Sequence, residues 1–397
     1  MLYVGGLILA NLENEHIICI SSVDWNPLLT RKQQVMKRLP KSNTILYVEP
    51  PITLISPFKD SRMWSKWGSW FSGIRRLNEN IYLYSPPVII PFGNKYRFIN
   101  RFNQYWISLF LKNVISRLKI KPPIIWTYMP NSADLIDKLG ERKLLVYDCV
   151  DEHSEYSGLI NKETMTVMEN DLMAECDVVF VTAQGLYDAK KDLARSIHYS
   201  PNAADISHFM KAQDPATIVP NEIASIPGSI VGFVGVIQDW IDLGLVREIA
   251  VTHPEWSVVM VGPVGVGIDV SPLRSLPNVY LLGRKDVREL PNYIKAFDVC
   301  INPFKINDLT DKVSPLKFYE YLASGKPIVS VKMPGVDSFS DVIETADNSE
   351  GFINGIERAI KEETPGKLKA RLARALENSW ESRVEFMSDK ILEKLNS

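Results

Sequence analysis

The sequence is poor in features that would mark a nucleic-acid binder or a metal protein. Its 45 Lys and Arg are matched by 47 Asp and Glu, so it lacks the basic surplus of a typical nucleic-acid-binding chain. Only four cysteines are present, and no two are spaced as in a zinc site or a redox pair. Each lies in or beside an apolar run: Cys19, Cys149, Cys176 and Cys300. We therefore expect buried thiols in a reducing compartment and no metal.

Long apolar runs are also missing. No segment approaches the ~20 apolar residues that a membrane-spanning helix needs. The first ten residues, MLYVGGLILA, are apolar but have no basic region before them, so we expect no signal peptide. The expectation is a cytoplasmic protein that can sit peripherally on the inner face of the plasma membrane.

What the sequence does contain is an alternation of apolar strand-like runs with helical patterns. The 397 residues are too many for one ordinary core, so two domains are expected. The runs predict strands in two groups: 16–21, 44–48, 123–128, 144–150 and 177–183, then 229–236, 256–263, 279–284, 298–304 and 327–331. This is the pattern of an α/β protein with two Rossmann-like domains in tandem, facing a central cleft. We predict domains at 1–205 and 206–375, and a last helix, 376–397, that packs back on the first domain.

The stretch VSPLKFYEYLASGKPIVS, residues 313–330, predicts a helix that runs into a strand. Ser314 is a candidate N-cap, followed by proline at the first helical position. A helix start attracts anions, and Lys317 adds a positive charge one turn in. Glu320 is three residues further on and can accept two hydrogen bonds from a ribose diol. The pattern thus fits a nucleotide diphosphate, although an exposed Lys–Glu pair is the plainer alternative.

This stretch resembles the GT-B fold glycosyltransferases, and among them family four, the glycosyl transferases group 1. The family's pattern of proline, lysine, a helical glutamate and Ala-x-Gly-x-Pro is met by Pro315, Lys317, Glu320, Ala323, Gly325 and Pro327. The resemblance extends over residues 177–330 and is weak over the first 150. It implies that the donor contacts Gly235, Arg284, Ser314, Lys317 and Glu320, with the glutamate on the ribose. The sequence departs from the family at Lys312, where many members have a glutamate (Asp311 is beside it), and after Gly235, where no cation follows.

The resemblance implies a hexosyltransferase-type glycosyltransferase that uses a nucleotide-diphosphate sugar, with a UDP-sugar favoured. The implied acceptor is a glycan or lipid-linked glycan in bacterial-type surface polysaccharide synthesis, and retention is favoured over inversion. No cofactor beyond the donor co-substrate, no metal and no nucleic acid are expected. One alternative is a non-catalytic nucleotide- or glycan-binding relative. Another is a dehydrogenase using VGPVGVG, 261–267, but no acidic ribose partner follows about 20 residues later.

The acceptor side is predicted where first-domain strands end. The strand 144–150 is followed by Asp151, our candidate general base, and by His153, an alternative that contacts the donor. The plainer alternative is an acidic helix start that complements the helix dipole. Asp148 is expected to be a structural cap. Asp24, Trp25 and Arg31 follow the first strand and are candidate acceptor ligands, although a turn aspartate and a packing tryptophan explain the first two equally simply.

The segment FKDSRMWSKWGSWFSGIRRL, residues 58–77, is rich in tryptophan and cations. Trp64, Trp67, Phe71 and Ile74 recur at helical steps and predict an amphipathic helix. Tryptophan combined with Lys or Arg is typical of a helix at a membrane interface. An acceptor groove and a helix docked on its own domain are the alternatives.

Overall fold

The computed structural model describes residues 11–26, 30–59, 63–155, 160–307 and 312–397. They form two compact units. The first unit comprises 1–200 and 383–397, and the second comprises 201–382. The predicted divisions at 205/206 and 375/376 stay predictions.

The first unit is built on a single sheet of eight strands among the described residues. Its spatial order is β3-β4-β2-β1-β5-β6-β7-β8, and every neighbouring pair is parallel except β3 with β4. The strands are β1 His16–Ile20, β2 Thr44–Val48, β3 Ile74–Arg76, β4 Ile81–Tyr84, β5 Ile124–Thr127, β6 Leu144–Cys149, β7 Val178–Val181 and β8 Ile197–Tyr199.

Helices flank this sheet along the chain. They are α1 Arg31–Arg38, α2 Ser56–Lys59, α3 Met63–Phe71, α4 Arg97–Arg117, α5 Ala133–Ile136, α6 Lys162–Glu175 and α7 Gln184–Lys190. The last helix of the chain, α17 Trp380–Leu395, contributes buried residues to the first unit from Val384 onward.

The apolar runs produced the predicted strands because each central strand is buried on both faces. β5 and β6 are buried at every position, as expected for parallel strands covered on both sides. All five predicted strands of the first half are confirmed. The features missed there include the hairpin of β3 and β4, the edge strand β8, and the 21-residue helix α4.

The predicted helix over 58–77 is wrong in its extent. α3 ends at Phe71, and Gly73 has a φ of 62°, a left-handed conformation that breaks the helix. Ile74 then begins β3, which pairs antiparallel with β4. Ile74 therefore does not continue the face of Trp64 and Trp67. Positions 60–62 of the segment lie outside the described residues, as do the first ten residues of the chain and Asp311.

The second unit has a six-stranded sheet with the order β11-β10-β9-β12-β13-β14, in which all neighbours are parallel. The strands are β9 Ser229–Val234, β10 Trp256–Val261, β11 Val279–Gly283, β12 Val299–Asn302, β13 Ile328–Val331 and β14 Glu344–Ala346. The helices are α8 Ile206–Phe209, α9 Asn221–Ala224, α10 Leu243–Thr252, α11 Ser271–Arg274, α12 Leu290–Ala296, α13 Leu316–Ser324, α14 Pro334–Asp337, α15 Ser349–Lys361 and α16 Pro365–Glu377. The five predicted strands of this half are confirmed.

One glycine shows how tightly the second core is packed. Gly232, in the middle of β9, lies against the ring of Phe297, and a Cβ at this position would be 2.1 Å from that ring's Cδ2. Real Cβ atoms do not approach so closely, so the strand has no room for a side chain there. The ring and the strand thus fix α12's end against the centre of the sheet.

The chain passes between the two units twice, after Ser200 and after Ser382. Inside the second unit the two passing segments run side by side. The N–H of Trp380 donates to the Ala204 carbonyl at 3.2 Å, and the N–H of Ala204 donates to the Asn378 carbonyl at 3.3 Å. Beyond this bridge the chain rejoins the first unit, where Val384, Met387 and Ile391 are buried.

Candidate functional site

The second unit has one point at which its strand order reverses direction. From β9 the chain builds outward through β10 to β11, and it then returns to add β12 on the other side of β9. In open parallel sheets, ligands bind beyond the carboxyl ends of the strands at such a switch point. Gly235 directly follows β9, and the segment that carries Ser314, Lys317 and Glu320 lies between β12 and β13. The topology therefore brings these four predicted donor residues to the same edge.

The turn after β9 is held by backbone contacts. The N–H of Gly235 donates to the Val261 carbonyl at 2.9 Å, and the N–H of Ile237 donates to the Pro263 carbonyl at 2.9 Å. A Cβ at Gly262 would be 1.8 Å from the Gly235 carbonyl oxygen. Two loops thus approach with no space for a side chain at Gly262, so that packing explains this glycine of VGPVGVG.

Helix α13 begins one residue later than predicted, and the predicted N-cap is wrong. Pro315 occupies the cap position and makes no side-chain capping bond. The Ser314 hydroxyl instead accepts a hydrogen bond from the Asn202 N–H at 3.0 Å, and the Asn202 side chain donates to the Ser314 carbonyl at 2.9 Å. Ser314 therefore anchors the helix start to the beginning of the second unit. The predicted stop at Gly325 is confirmed, with a φ of 72°.

Lys317 and Glu320 form a close pair on α13. Lys317 Nζ donates to Glu320 Oε2 at 2.7 Å. Glu320 is 6% exposed, whereas the Lys317 side chain is 29% exposed. A surface pair would have both groups in water, so the plain alternative does not describe this carboxylate. Lys317 is its hydrogen-bond partner among the described residues, and Oε1 stays available to a ligand.

The remaining donor-side residues are more dispersed. Arg284 follows the edge strand β11, two strands from β9, and is exposed. Lys312 lies in the loop before α13 and is half-buried. Which of these cations would reach a diphosphate stays a prediction.

In the first unit, β1 and β5 are neighbours from which the strand order runs in opposite directions. This is a second switch point of the same kind. A cavity of about 370 Å³ opens there, at the carboxyl ends of β1, β2 and β5. Its lining combines apolar groups with side-chain amides, including Ile20, Ile55, Ile89, Asn100, Asn103 and Gln104. Neither composition nor periodicity pointed to this cavity, because its walls come from four separate segments.

Arg31, a predicted acceptor residue, lies in a buried ion pair. Its Nε donates to both carboxylate oxygens of Asp148, at 2.9 and 3.1 Å, and its Nη2 donates to Ser200 Oγ at 3.1 Å. Asp148 sits at the end of β6 and is fully buried. The pair joins α1 to β6. Its role as an acceptor ligand stays a prediction, and the contacts point to a structural function.

Asp24 and Trp25 follow β1 as predicted, and both have partners inside the first unit. Asp24 forms an ion pair with Lys66 of α3. Trp25 is buried, with its ring edge-on to Tyr47 at 4.9 Å between centroids, and its backbone N–H donates to Glu49 Oε1 at 3.2 Å. These contacts support the packing alternative for Trp25, and its acceptor role stays a prediction.

The loop after β6, which carries Asp151 and His153, rests on a buried charge network. Lys190 of α7 donates to Glu169 of α6 at 2.7 Å and to Glu152 of the loop at 3.3 Å. All three side chains are at most 9% exposed. The network attaches the loop to α6 and α7 through Glu152, the residue that follows Asp151. The position of Asp151 is therefore restrained by its neighbour.

The electrostatics of this loop distinguish its two candidates. His153 is buried, and burial lowers its pKa; Glu169 and Asp151 act in the opposite direction. The imidazole is therefore neutral at neutral pH. A neutral imidazole in this place can donate one hydrogen bond and accept another without carrying a buried charge.

Lys32 is a residue that sequence reasoning missed. It is buried in the first turn of α1, and its ammonium lies 5.4 Å from the centre of the Tyr128 ring. Burial lowers its pKa, while Asp151 and Asp148 raise it. Lys32 and the candidate base Asp151 therefore interact electrostatically. The place of Lys32 directly after a strand-end loop and at a helix start was the available signal.

Among the described residues, no helix is long and apolar enough to cross a bilayer. Within the same part of the chain, no group of His, Cys, Asp and Glu side chains is arranged to hold a metal ion. In the segment 58–77, Phe58 and Trp64 are exposed and their rings are 5.8 Å apart, while membrane contact stays a prediction.

Comparison with known proteins agrees with this arrangement. Residues 228–378 match the family model described as glycosyl transferases group 1. The chain is similar to TuaH of Bacillus subtilis (strain 168), named as a glycosyltransferase of teichuronic acid biosynthesis, with 27% identity over 274 residues, 63% of this chain and 67% of TuaH.

Solved structures share the whole fold. Sucrose-phosphate synthase from Thermosynechococcus elongatus superimposes with a TM-score of 0.66 at 14% identity, covering 96% of this chain and 98% of that one. The E. coli trehalose-6-phosphate structure bound with UDP-2-fluoro glucose has a TM-score of 0.67 at 11% identity, covering 95% and 99%. The two-sheet architecture is that of the GT-B glycosyltransferases. The chain therefore has the GT-B fold, and its residues 228–378 are similar to the glycosyl transferases of group 1.

Proposed function

We propose that this chain is a glycosyltransferase. It would move a sugar from a nucleotide-diphosphate sugar, with UDP as the favoured nucleotide, to a glycan or lipid-linked glycan of a bacterial-type surface polysaccharide. The observation that carries the proposal is the Lys317–Glu320 pair at the switch point of the second sheet. The name of TuaH supports the polysaccharide context. The UDP-2-fluoro glucose bound in a structure of the same fold supports the choice of nucleotide.

Glu320 and Lys317 would bind different parts of the donor. Glu320 is a buried carboxylate with one oxygen on Lys317, and its other oxygen can accept from a ribose hydroxyl. Lys317 lies in the first turn of α13. Its ammonium can donate a hydrogen bond to a diphosphate oxygen in place of the one it donates to Glu320. The helix N–H groups add partial positive charge at the same end. This arrangement needs no resident cofactor, and transfer that persists in excess chelator would agree with it.

In the reaction, the bond from the anomeric carbon to the nucleotide's β-phosphate oxygen breaks, and an acceptor oxygen forms a bond to that carbon. The acceptor proton goes to the leaving phosphate in a retaining reaction, which we favour, or to Asp151 in an inverting one. His153 is the alternative in this loop, since its neutral ring can contact the sugar. The anomeric configuration of the product, read by NMR, separates the two courses.

We assign the acceptor to the first unit, where the cavity beside β1 and β5 mixes apolar and amide groups. Such a lining suits a sugar attached to an apolar carrier. Peripheral membrane contact through residues 58–77 belongs to the same proposal, and the exposed rings of Phe58 and Trp64 support it.

The first experiment is thermal unfolding of the full chain with UDP, GDP, ADP or dTDP, for wild type and for Glu320→Gln. A ligand that binds only the folded chain adds about 2.7 kcal/mol at a hundred times its Kd. We expect UDP to raise the Tm of the wild type and not of the variant. The matched control is Glu393→Gln, which breaks an exposed pair of the same Lys-x-x-Glu spacing on α17 and should keep the full shift.

Activity decides between an enzyme and a non-catalytic relative. If UDP stabilises the wild type but no donor sugar is ever hydrolysed or transferred, the alternative of a nucleotide-binding relative is favoured. If Glu320→Gln and the wild type respond equally to every nucleotide, the assignment of Glu320 is wrong.

A further inference from the structure

The first half of helix α4 is polar on its buried side, whereas further along the helix Ile107, Leu111 and Val114 are buried. Asn100, Asn103 and Gln104 are all buried, with at most 6% of each residue exposed. Asn103 exchanges two hydrogen bonds with the backbone of Ile90, at 2.8 and 3.0 Å, and Asn100 donates to the Asn131 carbonyl at 2.8 Å. The amides are thus satisfied by the protein, which is what burial of polar groups requires.

The opposite side of α4 is aromatic and exposed. We call it the aromatic face: Phe98, Phe102, Tyr105, Trp106 and Leu109. Phe98 is 72% exposed and Phe102 is 54% exposed. The steps of three and four residues put all five on one stripe of the helix. An ordinary surface helix buries its apolar residues and exposes its polar ones. An exposed aromatic stripe is instead typical of a surface that binds a partner or a membrane.

The aromatic face adjoins the tryptophan-rich helix α3. Trp106 contacts the ring of Phe110 at 4.9 Å between centroids, and Phe110 contacts the ring of Trp70 at 5.8 Å. The two helices therefore offer neighbouring aromatic groups from separate parts of the sequence.

Charge indicates the partner. Between Glu79 and Asp134 the sequence contains no Asp or Glu and has seven Lys or Arg, in a chain whose overall charges nearly cancel. Lys112 and Arg117 continue the outer side of α4, are exposed, and form no ion pair with any described residue. A surface that joins tryptophan and phenylalanine with unpaired cations complements an anionic lipid headgroup layer.

We propose that the aromatic face of α4, flanked by Lys112 and Arg117, docks on a membrane surface that contains anionic lipid. A second copy of the chain fits less well, because a symmetric contact would bring the same cations of both copies together without acids to neutralise them. The proposal is independent of the nucleotide and the acceptor, since it concerns binding to lipid alone.

Docking through α4 would place the first unit's cavity next to lipid. The buried side of the helix lines that cavity with Asn100, Asn103 and Gln104, while its other side meets the bilayer. The helix is about 10 Å across. A substrate anchored in the same membrane would therefore reach the cavity by passing around one helix.

The test is flotation of the full chain with vesicles of phosphatidylcholine alone, or of equal parts phosphatidylcholine and phosphatidylglycerol. The variant Phe98→Ser/Phe102→Ser/Trp106→Ser should bind the anionic vesicles more weakly, on the order of tenfold for each ring removed. Lys112→Gln/Arg117→Gln should lose about fivefold per cation on anionic vesicles and little on neutral ones. Raised salt should weaken binding of the wild type.

The control variant carries three serines at exposed apolar positions of the second unit, Ile218, Val251 and Val266, and should bind as wild type does. Circular dichroism and the Tm check that every variant is folded. Unchanged vesicle binding by the triple-ring variant would overturn the proposal, as would a folded wild type that binds neither vesicle. A wild type that is dimeric in sedimentation and becomes monomeric in that variant, without binding lipid, would show that a second copy covers the face.

Discussion

Replacing Arg31 tests whether this predicted acceptor residue is a structural part of the first unit. Its side chain and that of Asp148 are 3% and 0% exposed, and two hydrogen bonds join them. Arg31→Met keeps the length of the side chain but leaves the Asp148 carboxylate buried without its cation. Breaking a buried pair in this way costs about 3–5 kcal/mol. We expect the free energy of unfolding of the first unit to fall by that amount.

The assay is hydrogen exchange of the full chain followed by mass spectrometry, read on peptides from β1 and β6. Peptide resolution is needed because the two units can unfold separately, so that a single Tm would mix them. The matched control is Arg358→Met, whose guanidinium also makes two hydrogen bonds, to Glu344 at 2.8 and 3.1 Å. That pair is 46% and 31% exposed, so the loss should be below about 1 kcal/mol.

A double variant sharpens the result. Arg31→Met/Asp148→Leu removes both charges, and apolar replacement of a buried pair is often close to neutral. We expect it to be more stable than Arg31→Met alone. If Arg31→Met costs less than about 1 kcal/mol while acceptor binding weakens, the structural reasoning is refuted and Arg31 acts as a ligand-binding group.

Two other predictions follow from the cores. Gly232→Ala should destabilise the second unit by about 2 kcal/mol or more in denaturant unfolding, because its new methyl group would overlap the Phe297 ring. His153→Gln should reduce the loss of stability on acidification from about pH 7.5 to about pH 5.5. Burial lowers the pKa of His153 in the folded chain, so its contribution is present above the unfolded pKa of about 6.5 and is lost as the pH falls.

The control for Gly232→Ala is the same substitution at a glycine that has free space around it. Gly68→Ala lies in α3 with no atom within 4 Å of its new Cβ, and should stabilise the chain by about 0.5–1 kcal/mol. A Gly232→Ala chain as stable as the wild type would contradict the packing argument. Parallel stability–pH curves for the wild type and His153→Gln would contradict the assignment of the titrating group.

The central strands were predicted correctly because buried parallel strands are apolar along their whole length, so each leaves a continuous signal. The same rule explains what was missed. α4 has amides such as Asn103 inward and rings such as Phe98 outward, and a method that assigns apolar residues to the core does not recognise it. β3 depends on its pairing with β4, and nothing in Ile74–Arg76 alone distinguishes a strand from a continued helix.

The candidate site was predictable where one local stretch carries it. Lys317, Glu320 and Gly325 belong to one helix, so their spacing was informative. Lys32 and the cavity of the first unit depend on segments far apart in the chain, which only the folded sheet brings together. The contacts of Arg31 and Lys32 could not be predicted either. The two basic residues are adjacent in the sequence, and nothing in the sequence shows which of them forms a structural ion pair.

The double passage of the chain between the units has a consequence for how the protein is made. During synthesis the ribosome releases residues 1–200 before the second unit, yet the helix that supplies Val384, Met387 and Ile391 to the first unit emerges only after the second unit. The first unit must therefore wait, with an apolar groove uncovered, while the whole second unit is translated. An expression fragment that stops near Ser200 would keep that groove open permanently, and we expect it to aggregate or to bind chaperones unless α17 is supplied as a separate peptide.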